Sequence, residues 1–188
     1  MTPLIEAAHD LQAFFNQRQW PFCIIGGIAV LRWGEPRFTR DVDVTLLCGF
    51  GREDEFIGPL LSSDYRGRIS DAAEFARRNR VLLLESPNGV PIDVALGGLP
   101  FEELMVERSS LFEFTPGCPL RTCSAEDLVV LKLFAFRPRD VLDVETVVVR
   151  QRGALDWVYI ESHLAPLSAL KEQPEITEAL ARMRRRSW

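Results

Sequence analysis

Two aspartates interrupt the apolar run DVDVTLL, and this pattern constrains the fold more than any other feature of the chain. Successive side chains of a strand point to opposite faces, so Asp41 and Asp43 share one face while the intervening valines face the core. Two carboxylates held this close repel each other unless a cation lies between them. Hard oxygen ligands favour Mg²⁺, which usually shares its other positions with water and substrate phosphates. The pattern therefore predicts a buried strand that carries a magnesium site.

A glycine pair precedes this strand and directly follows the apolar run PFCII. Gly26 and Gly27 would lie where a strand ends and a helix begins, and backbone N–H groups favour an anion there. Thr39 would shape the entrance of the next strand or donate a hydrogen bond. Each feature alone has a simpler explanation, since a glycine pair is usually a turn and strand-end aspartates are commonly only solvated. Together they predict a phosphate-binding turn followed by a metal-binding strand.

A third aspartate lies inside another apolar run, VPIDVAL. Burying Asp93 there without a partner would be costly. If its strand lies beside the strand of Asp41 and Asp43, three carboxylates converge. Such a set can hold two metal ions and accept a proton from an attacking hydroxyl.

Lysine is rare in this chain, because only Lys132 and Lys171 are lysines among the 22 basic residues. Lys132 lies in the apolar helical run LVVLKLFAF, where a compact point charge is indicated because the chain otherwise uses arginine. Its partner would be a triphosphate or one of the carboxylates. The alternative is a side chain that extends to water.

Charged residues follow at the end of that helix, in the segment RPRDVLD. Arg137 and Arg139 would bind a phosphate through paired N–H donors, with Asp140 and Asp143 orienting them. An ordinary surface network is the alternative.

The composition limits the function classes. The 188-residue chain has a net charge of −5, which does not favour a broad nucleic-acid surface, although a local basic groove is compatible with it. No apolar run is long enough to span a bilayer, and Glu6 and Asp10 are unlike a signal peptide, so we expect a cytoplasmic protein. The four cysteines lack C-x-x-C spacing and are expected to be buried thiols. His9 and His163 are far apart, which disfavours a histidine-ligated metal or a Ser-His-Asp triad.

The order of predicted elements indicates an α/β fold. A helix over residues 3–18 precedes the strands PFCII and VDVTLL, and a Pro-Asn-Gly hairpin signal joins RVLLLES to VPIDVAL. Residues 65–80 fit a helix or a loop, LPFEELMVERSSLF predicts a helix, and PLRTCS predicts a short strand. From the capping residue Ser124 onward only helices are predicted. We therefore expect a small mixed sheet flanked by helices in residues 1–123 and a helical C-terminal part, packed on it, in residues 124–188.

The motifs IIGG, TRDVDV and the later Asp93 resemble the nucleotidyltransferase superfamily that includes DNA polymerase β. RFTRDVDV, GVPIDVAL, SAEDLVVLKLFAFRPRDVLDVETVVVRQ and LDWVYI are further similar to small bacterial AbiEii-type nucleotidyltransferases, a group that includes toxins of toxin–antitoxin systems. The resemblance covers most of residues 22–160. It implies the polymerase-β-like nucleotidyltransferase fold. The segment from Arg137 to Asp143 matches the family's R-x-R/K-D-x-x-D run, and Phe136 stands where a small residue is expected.

The resemblance also implies roles for particular residues. These are metal binding and catalysis by Asp41, Asp43 and Asp93, phosphate contact by Gly26 and Gly27, and substrate contact by Thr39, Lys132, Arg137, Arg139 and Asp140.

The expected reaction transfers a nucleoside monophosphate from an NTP to a hydroxyl acceptor and releases pyrophosphate, with two Mg²⁺ ions for which Mn²⁺ is a substitute. The acceptor would be RNA such as tRNA, a protein or a small molecule. A cognate antitoxin is a further expected partner, and no membrane is involved. The alternative is a non-catalytic binding or regulatory protein with the same fold. The three carboxylates argue against it, because a protein without a metal has no reason to bury that charge.

Overall fold

The computed structural model describes residues 1–186, which form seven strands and nine helices. The strands lie in one mixed sheet in the order β3-β4-β5-β2-β1-β7-β6. Their bounds are β1 (Phe22–Ile24), β2 (Val42–Leu47), β3 (Arg66–Gly67), β4 (Val81–Glu85), β5 (Pro91–Gly97), β6 (Ser110–Thr115) and β7 (Cys118–Thr122). The helices are α1 (Pro3–Gln17), α2 (Gly26–Trp33), α3 (Asp54–Leu61), α4 (Ala72–Asn79), α5 (Pro100–Arg108), α6 (Ala125–Ala135), α7 (Pro138–Arg150), α8 (Trp157–Lys171) and α9 (Glu175–Arg186).

The chain divides into two compact units. The first consists of residues 1–28 and 38–123 and contains the whole sheet. The second consists of residues 29–37 and the chain from residue 124 onward, with α6 to α9. The mixed α/β architecture predicted from the sequence is confirmed. The proposed domain boundary between residues 123 and 124 stays a prediction.

Strand β2 lies between an antiparallel and a parallel neighbour. It pairs antiparallel with β1 and parallel with β5, in a register that places Val42 opposite Ile92 and Asp43 opposite Asp93. Strand β4 pairs antiparallel with β5, which confirms the predicted hairpin. The two strands that carry Asp43 and Asp93 are therefore direct neighbours.

The core of the first unit follows the alternation of the strands. In β2, Val42 and Val44 are fully buried, whereas the intervening Asp43 is only partly buried. Helix α1 contributes a buried face that includes Leu11 and Phe15. Its N-terminus is capped by the Thr2 side chain, which accepts a hydrogen bond from the Ile5 amide.

One local prediction required revision, and one region that the sequence left open is now defined. The segment LPFEELMVERSSLF is not helical throughout, because α5 ends at Arg108 and residues from Ser110 onward form the edge strand β6, paired with β7. Pairing with β7 thus prevails over the helical pattern in the last residues of this segment. The ambiguous region 65–80 contains the short strand β3 and the helix α4.

The four cysteines, all within the described residues, are buried thiols, as the sequence predicts. Among residues 1–186, no helix combines the length and the apolar character that crossing a membrane requires.

Candidate active site

The neighbouring strands β2 and β5 bring acidic residues together in the first unit. Asp43 and Asp93 are register partners on parallel strands, so their side chains project from the same face of the sheet. Asp41 lies immediately before β2 and is close enough to influence Asp93 electrostatically. Burial is the largest influence on the Asp93 carboxyl and raises its pKa; Arg68 opposes this, and the negative charge of Asp41 adds to it. From the sequence, convergence of the three aspartates required these strands to be adjacent, and β2 and β5 are adjacent.

Gly26 is required by the position of Asp43. A Cβ atom built on Gly26 would lie 1.9 Å from the Asp43 carboxylate oxygen Oδ2, much closer than any van der Waals contact. Gly26 also has φ +59°, a left-handed conformation that disfavours other residues. The glycine therefore allows the carboxylate to lie against the start of α2. The sequence predicted Gly26 for phosphate approach, and this steric role was not foreseen.

Gly27 has a corresponding relation to Thr39. A Cβ atom on Gly27 would lie 2.1 Å from Thr39 Oγ1. The same hydroxyl donates a hydrogen bond of 3.1 Å to Asp41 Oδ1. The hydrogen-bonding role considered for Thr39 is therefore present, directed at a carboxylate. The two glycines make room, in turn, for Asp43 and for the residue that orients Asp41.

Arg68 contacts the third carboxylate. Its guanidinium Nη2 donates a hydrogen bond to Asp93 Oδ1, and the two side chains are 30% and 37% exposed. The sequence did not reveal this residue, because it lies in the arginine-rich region 65–80, whose structure was ambiguous. No spacing rule links Arg68 to Asp93 across the intervening strand β4.

The three carboxylates suit a hard divalent cation by their chemistry and by the shared face of β2 and β5. The close approach of Asp43 to Gly26 shows that this face is shaped around a carboxylate. Within residues 1–186, however, no group of three or more His, Cys, Asp or Glu side chains is already arranged to hold a metal ion. Asp93 instead forms an ion pair with Arg68. Metal binding by Asp41, Asp43 and Asp93 stays a prediction.

The second unit contains a buried ionic network centred on Lys132. The Lys132 ammonium lies 2.9 Å from Asp140 Oδ1 and 2.7 Å from Asp143 Oδ2, and the residue is only 7% exposed. The structure therefore pairs Lys132 with Asp140 and Asp143, two carboxylates that were assigned from the sequence to the neighbouring arginines and not to Lys132. A direct contact with the nucleotide stays a prediction.

Two arginines complete this network. Arg37 binds Asp143 with both Nε and Nη2, at 2.6 and 2.7 Å, and Arg137 Nε donates to Asp140 Oδ2 at 2.6 Å. Burial alone would raise the pKa of both carboxyls, but hydrogen bonds from Lys132 and these arginines outweigh it and hold the pKa below its usual value. Arg37 was missed, because nothing in its local sequence connects it to an aspartate more than a hundred residues later.

Two further residues of this segment are placed by the ends of helices. Phe136 is the C-cap of α6 with φ +55°, a left-handed conformation that favours a small residue such as glycine. This accounts for the small residue expected at this position. Arg139 lies exposed in the first turn of α7.

Residues 19–182 match the family described as "Nucleotidyl transferase AbiEii toxin, Type IV TA system". This match spans most of the chain and includes every residue of the carboxylate site and of the Lys132 network. The chain belongs to the AbiEii nucleotidyltransferase family. It is therefore a nucleotidyltransferase enzyme, and the resemblance inferred from the sequence motifs is confirmed. No curated protein sequence matches it.

Solved structures similar to this AbiEii family member have the nucleotidyltransferase fold. An antigenic nucleotidyltransferase-like protein from Paracoccidioides brasiliensis has a TM-score of 0.56 and 17% identity, with 94% of this chain and 91% of that chain covered. The antibiotic-resistance factor ANT(2'')-Ia matches in a solution structure with a TM-score of 0.50 and 19% identity, covering 97% of this chain and 91% of that one. Its complex with adenylyl-2''-tobramycin matches with a TM-score of 0.50 and 18% identity, covering 98% of both chains.

Proposed function

We propose that this protein is a Mg²⁺-dependent nucleotidyltransferase that transfers NMP from an NTP to a hydroxyl group and releases pyrophosphate. The observation that carries the proposal is the register of β2 and β5, which sets Asp43 beside Asp93 on one face, with Asp41 at the strand entrance. Bound divalent ions would supply electrostatic stabilisation of the α-phosphate and of the attacking and leaving oxygens. Mn²⁺ would serve as a substitute.

The first unit provides the groups that act on the reacting atoms. Asp41 and Asp43 would bind the metal that accompanies the nucleotide, with Asp41 oriented by the Thr39 hydroxyl. Asp93 would take the proton of the acceptor hydroxyl, and its raised pKa suits a base. The backbone at Gly26 and Gly27 would contact phosphate oxygens at the start of α2.

For the second unit we propose contact with the nucleotide phosphates through Lys132, Arg137, Arg139 and Asp140. The network of Lys132 sets three cationic side chains, including Arg37, against two carboxylates. Arg137 lies largely at the surface of this network, where its guanidinium would bind an anionic phosphate. Asp140 would act indirectly by holding Lys132 and Arg137 in place.

The family description supports a role as the toxin of a type IV toxin–antitoxin pair, with a cognate antitoxin as partner. RNA such as tRNA, a protein and a small molecule are the acceptor classes to be tested. A small-molecule acceptor has a precedent in the fold, since the structure of ANT(2'')-Ia contains adenylyl-2''-tobramycin.

The test is label transfer. The protein is incubated with Mg²⁺, total cell extract and each of four α-labelled NTPs in turn, and label is then sought in RNA, protein and small molecules. Label should enter one class with the wild-type protein and none with Asp43→Asn. Asp64→Asn, which removes one exposed charge outside the site, is the matched control and should retain transfer. Equal transfer by Asp43→Asn and wild type would contradict the proposal.

A further inference from the structure

The ion pair of Arg68 and Asp93 results from the register of three strands. The Arg68 amide donates to the Leu83 carbonyl at 3.0 Å, and Leu83 is the register partner of Asp93 across β4 and β5. The long arginine side chain therefore extends over one strand, a reach of about 10 Å at the usual strand spacing. This geometry fixes Arg68 on the one carboxylate of the three that comes from β5.

A guanidinium on Asp93 has a direct consequence for cation binding. The guanidinium neutralises part of the negative charge that would attract a metal ion to Asp93, and a cation already close by repels an incoming one. Asp43 and Asp93 share one face of β2 and β5 and Asp41 lies directly before β2, yet in the described part of the chain no three acidic groups are arranged as a metal site. Arg68 thus neutralises part of the charge that a metal ion would neutralise.

Arg68 also has a place to which it can move. It lines a cavity of about 610 Å³ between β3 and α4, together with Ser70, Asp71 and Glu74. Asp71 stands at the N-cap of α4 but its side chain accepts no capping hydrogen bond from that helix. Glu74 is already paired with Arg78. Asp71 is therefore a second carboxylate within the cavity that can receive the guanidinium.

We propose that Arg68 is a built-in counter-ion of the metal site: it binds Asp93 in the resting protein and is displaced towards Asp71 when the divalent cation binds. The inference rests on the proposed function, because it assigns regulation to the same carboxylates. Arg68 is a positioning residue, since it acts through Asp93. Metal affinity then depends on competition between Arg68 and the divalent cation for Asp93, and Asp93 joins the metal site only when the cation binds.

The experiment measures Mn²⁺ binding to the full-length protein without nucleotide, by calorimetry and by electron paramagnetic resonance. Arg68→Gln should bind Mn²⁺ about two- to five-fold more tightly than wild type, the range expected from loss of one half-exposed competing ion pair. Arg68→Lys, which keeps the charge, should fall between them. Arg66→Gln is the matched control, because Arg66 lies two residues earlier, is paired with Glu85 and is 79% exposed; its affinity should equal that of wild type.

A double-mutant cycle separates competition from a structural effect. In an Asp93→Asn background, Arg68→Gln should increase Mn²⁺ affinity by less than in the wild-type background, because the ion pair with Asp93 is already absent and only the repulsion between Arg68 and the cation remains. Asp71→Asn should weaken Mn²⁺ binding in the wild-type background, because displaced Arg68 loses its second partner. Unchanged affinity in Asp71→Asn would overturn the receiving role of Asp71.

The two proposals fail in different ways. Wild-type protein that binds Mn²⁺ with the same or higher affinity than Arg68→Gln overturns the counter-ion inference alone. Absence of Mn²⁺ binding in both proteins, together with absence of label transfer, overturns the proposed function and the inference with it.

Discussion

Replacing Gly26 by alanine tests whether the glycine pair serves the carboxylates as well as the phosphates. The new methyl group would lie 1.9 Å from Asp43 Oδ2, so the carboxylate has to move. The left-handed backbone at φ +59° adds about 1–2 kcal/mol of strain for a residue with a side chain. Accommodating the displaced Asp43 adds about 1–3 kcal/mol, as is typical of overpacking.

Gly117→Ala is the matched control for this change. Gly117 has φ +77°, and a Cβ atom there would meet nothing within 4 Å. It should therefore show the backbone strain alone, and its melting temperature should fall by roughly 2–8 °C, at about 2–4 °C per kcal/mol for a chain of this size. Its label transfer should equal that of wild type.

Gly26→Ala should melt at a lower temperature than Gly117→Ala and should lose transfer by about 10²-fold, since a displacement of about 1 Å at a reacting centre costs this much. It should also bind Mn²⁺ more weakly without nucleotide. A loss confined to NTP affinity, with unchanged Mn²⁺ binding, would assign Gly26 to the phosphates alone. Melting and transfer equal to those of Gly117→Ala would refute the reasoning entirely.

Three further predictions concern Gly27 and the Lys132 network. Gly27→Ala should displace the Thr39 hydroxyl, which lies 2.1 Å from the new Cβ, and should therefore reduce Mn²⁺ affinity. Thr39→Ser keeps the hydroxyl and should retain wild-type Mn²⁺ affinity. Equal Mn²⁺ affinity in wild type and Gly27→Ala would contradict this role of Gly27. Lys132→Arg should lower the free energy of unfolding in urea by about 1–3 kcal/mol, because the larger guanidinium has to fit a buried site between two carboxylates. A stability equal to that of wild type would contradict the tight fit of this site. Asp140 and Asp143 have a lowered pKa in the folded state, so the stability they contribute is present above the unfolded pKa of about 3.9 and is lost as pH falls below it. Urea unfolding between about pH 5 and pH 3 should show a smaller loss for Asp143→Asn than for wild type, and an equal loss would argue against the lowered pKa.

Local patterns in the sequence were sufficient for the elements that carry the site. The alternation of Val42, Asp43 and Val44 fixed the strand and the face of the aspartate, and the turn at residues 87–89 fixed the hairpin of β4 and β5. That β2 pairs with the other edge of β5 was assumed, not predicted, from the sequence. Parallel pairing joins distant segments without a turn that marks it, so only the structure establishes it.

The partners of the buried charges lay beyond sequence reasoning for a related reason. Arg68 reaches Asp93 over an intervening strand, and Arg37 reaches Asp143 across most of the chain length. In a chain with so many arginines, no single one stands out as a partner. The steric role of Gly26 was hidden as well, because it depends on a rotamer of Asp43 that no sequence pattern specifies.

The parallel pairing of β2 and β5 also determines when the three aspartates of a newly made chain can come together. Asp41 and Asp43 leave the ribosome early, but Asp93 lies on β5, which ends at Gly97. The chain between β2 and β5 must be made and brought together before these two strands can pair. A nascent chain that stops between the end of β2 and Asp93 therefore holds two of the three carboxylates and lacks the group proposed to take the proton. If the three aspartates act together as proposed, the position of β5 in the sequence would delay activity until most of the first unit has been synthesised.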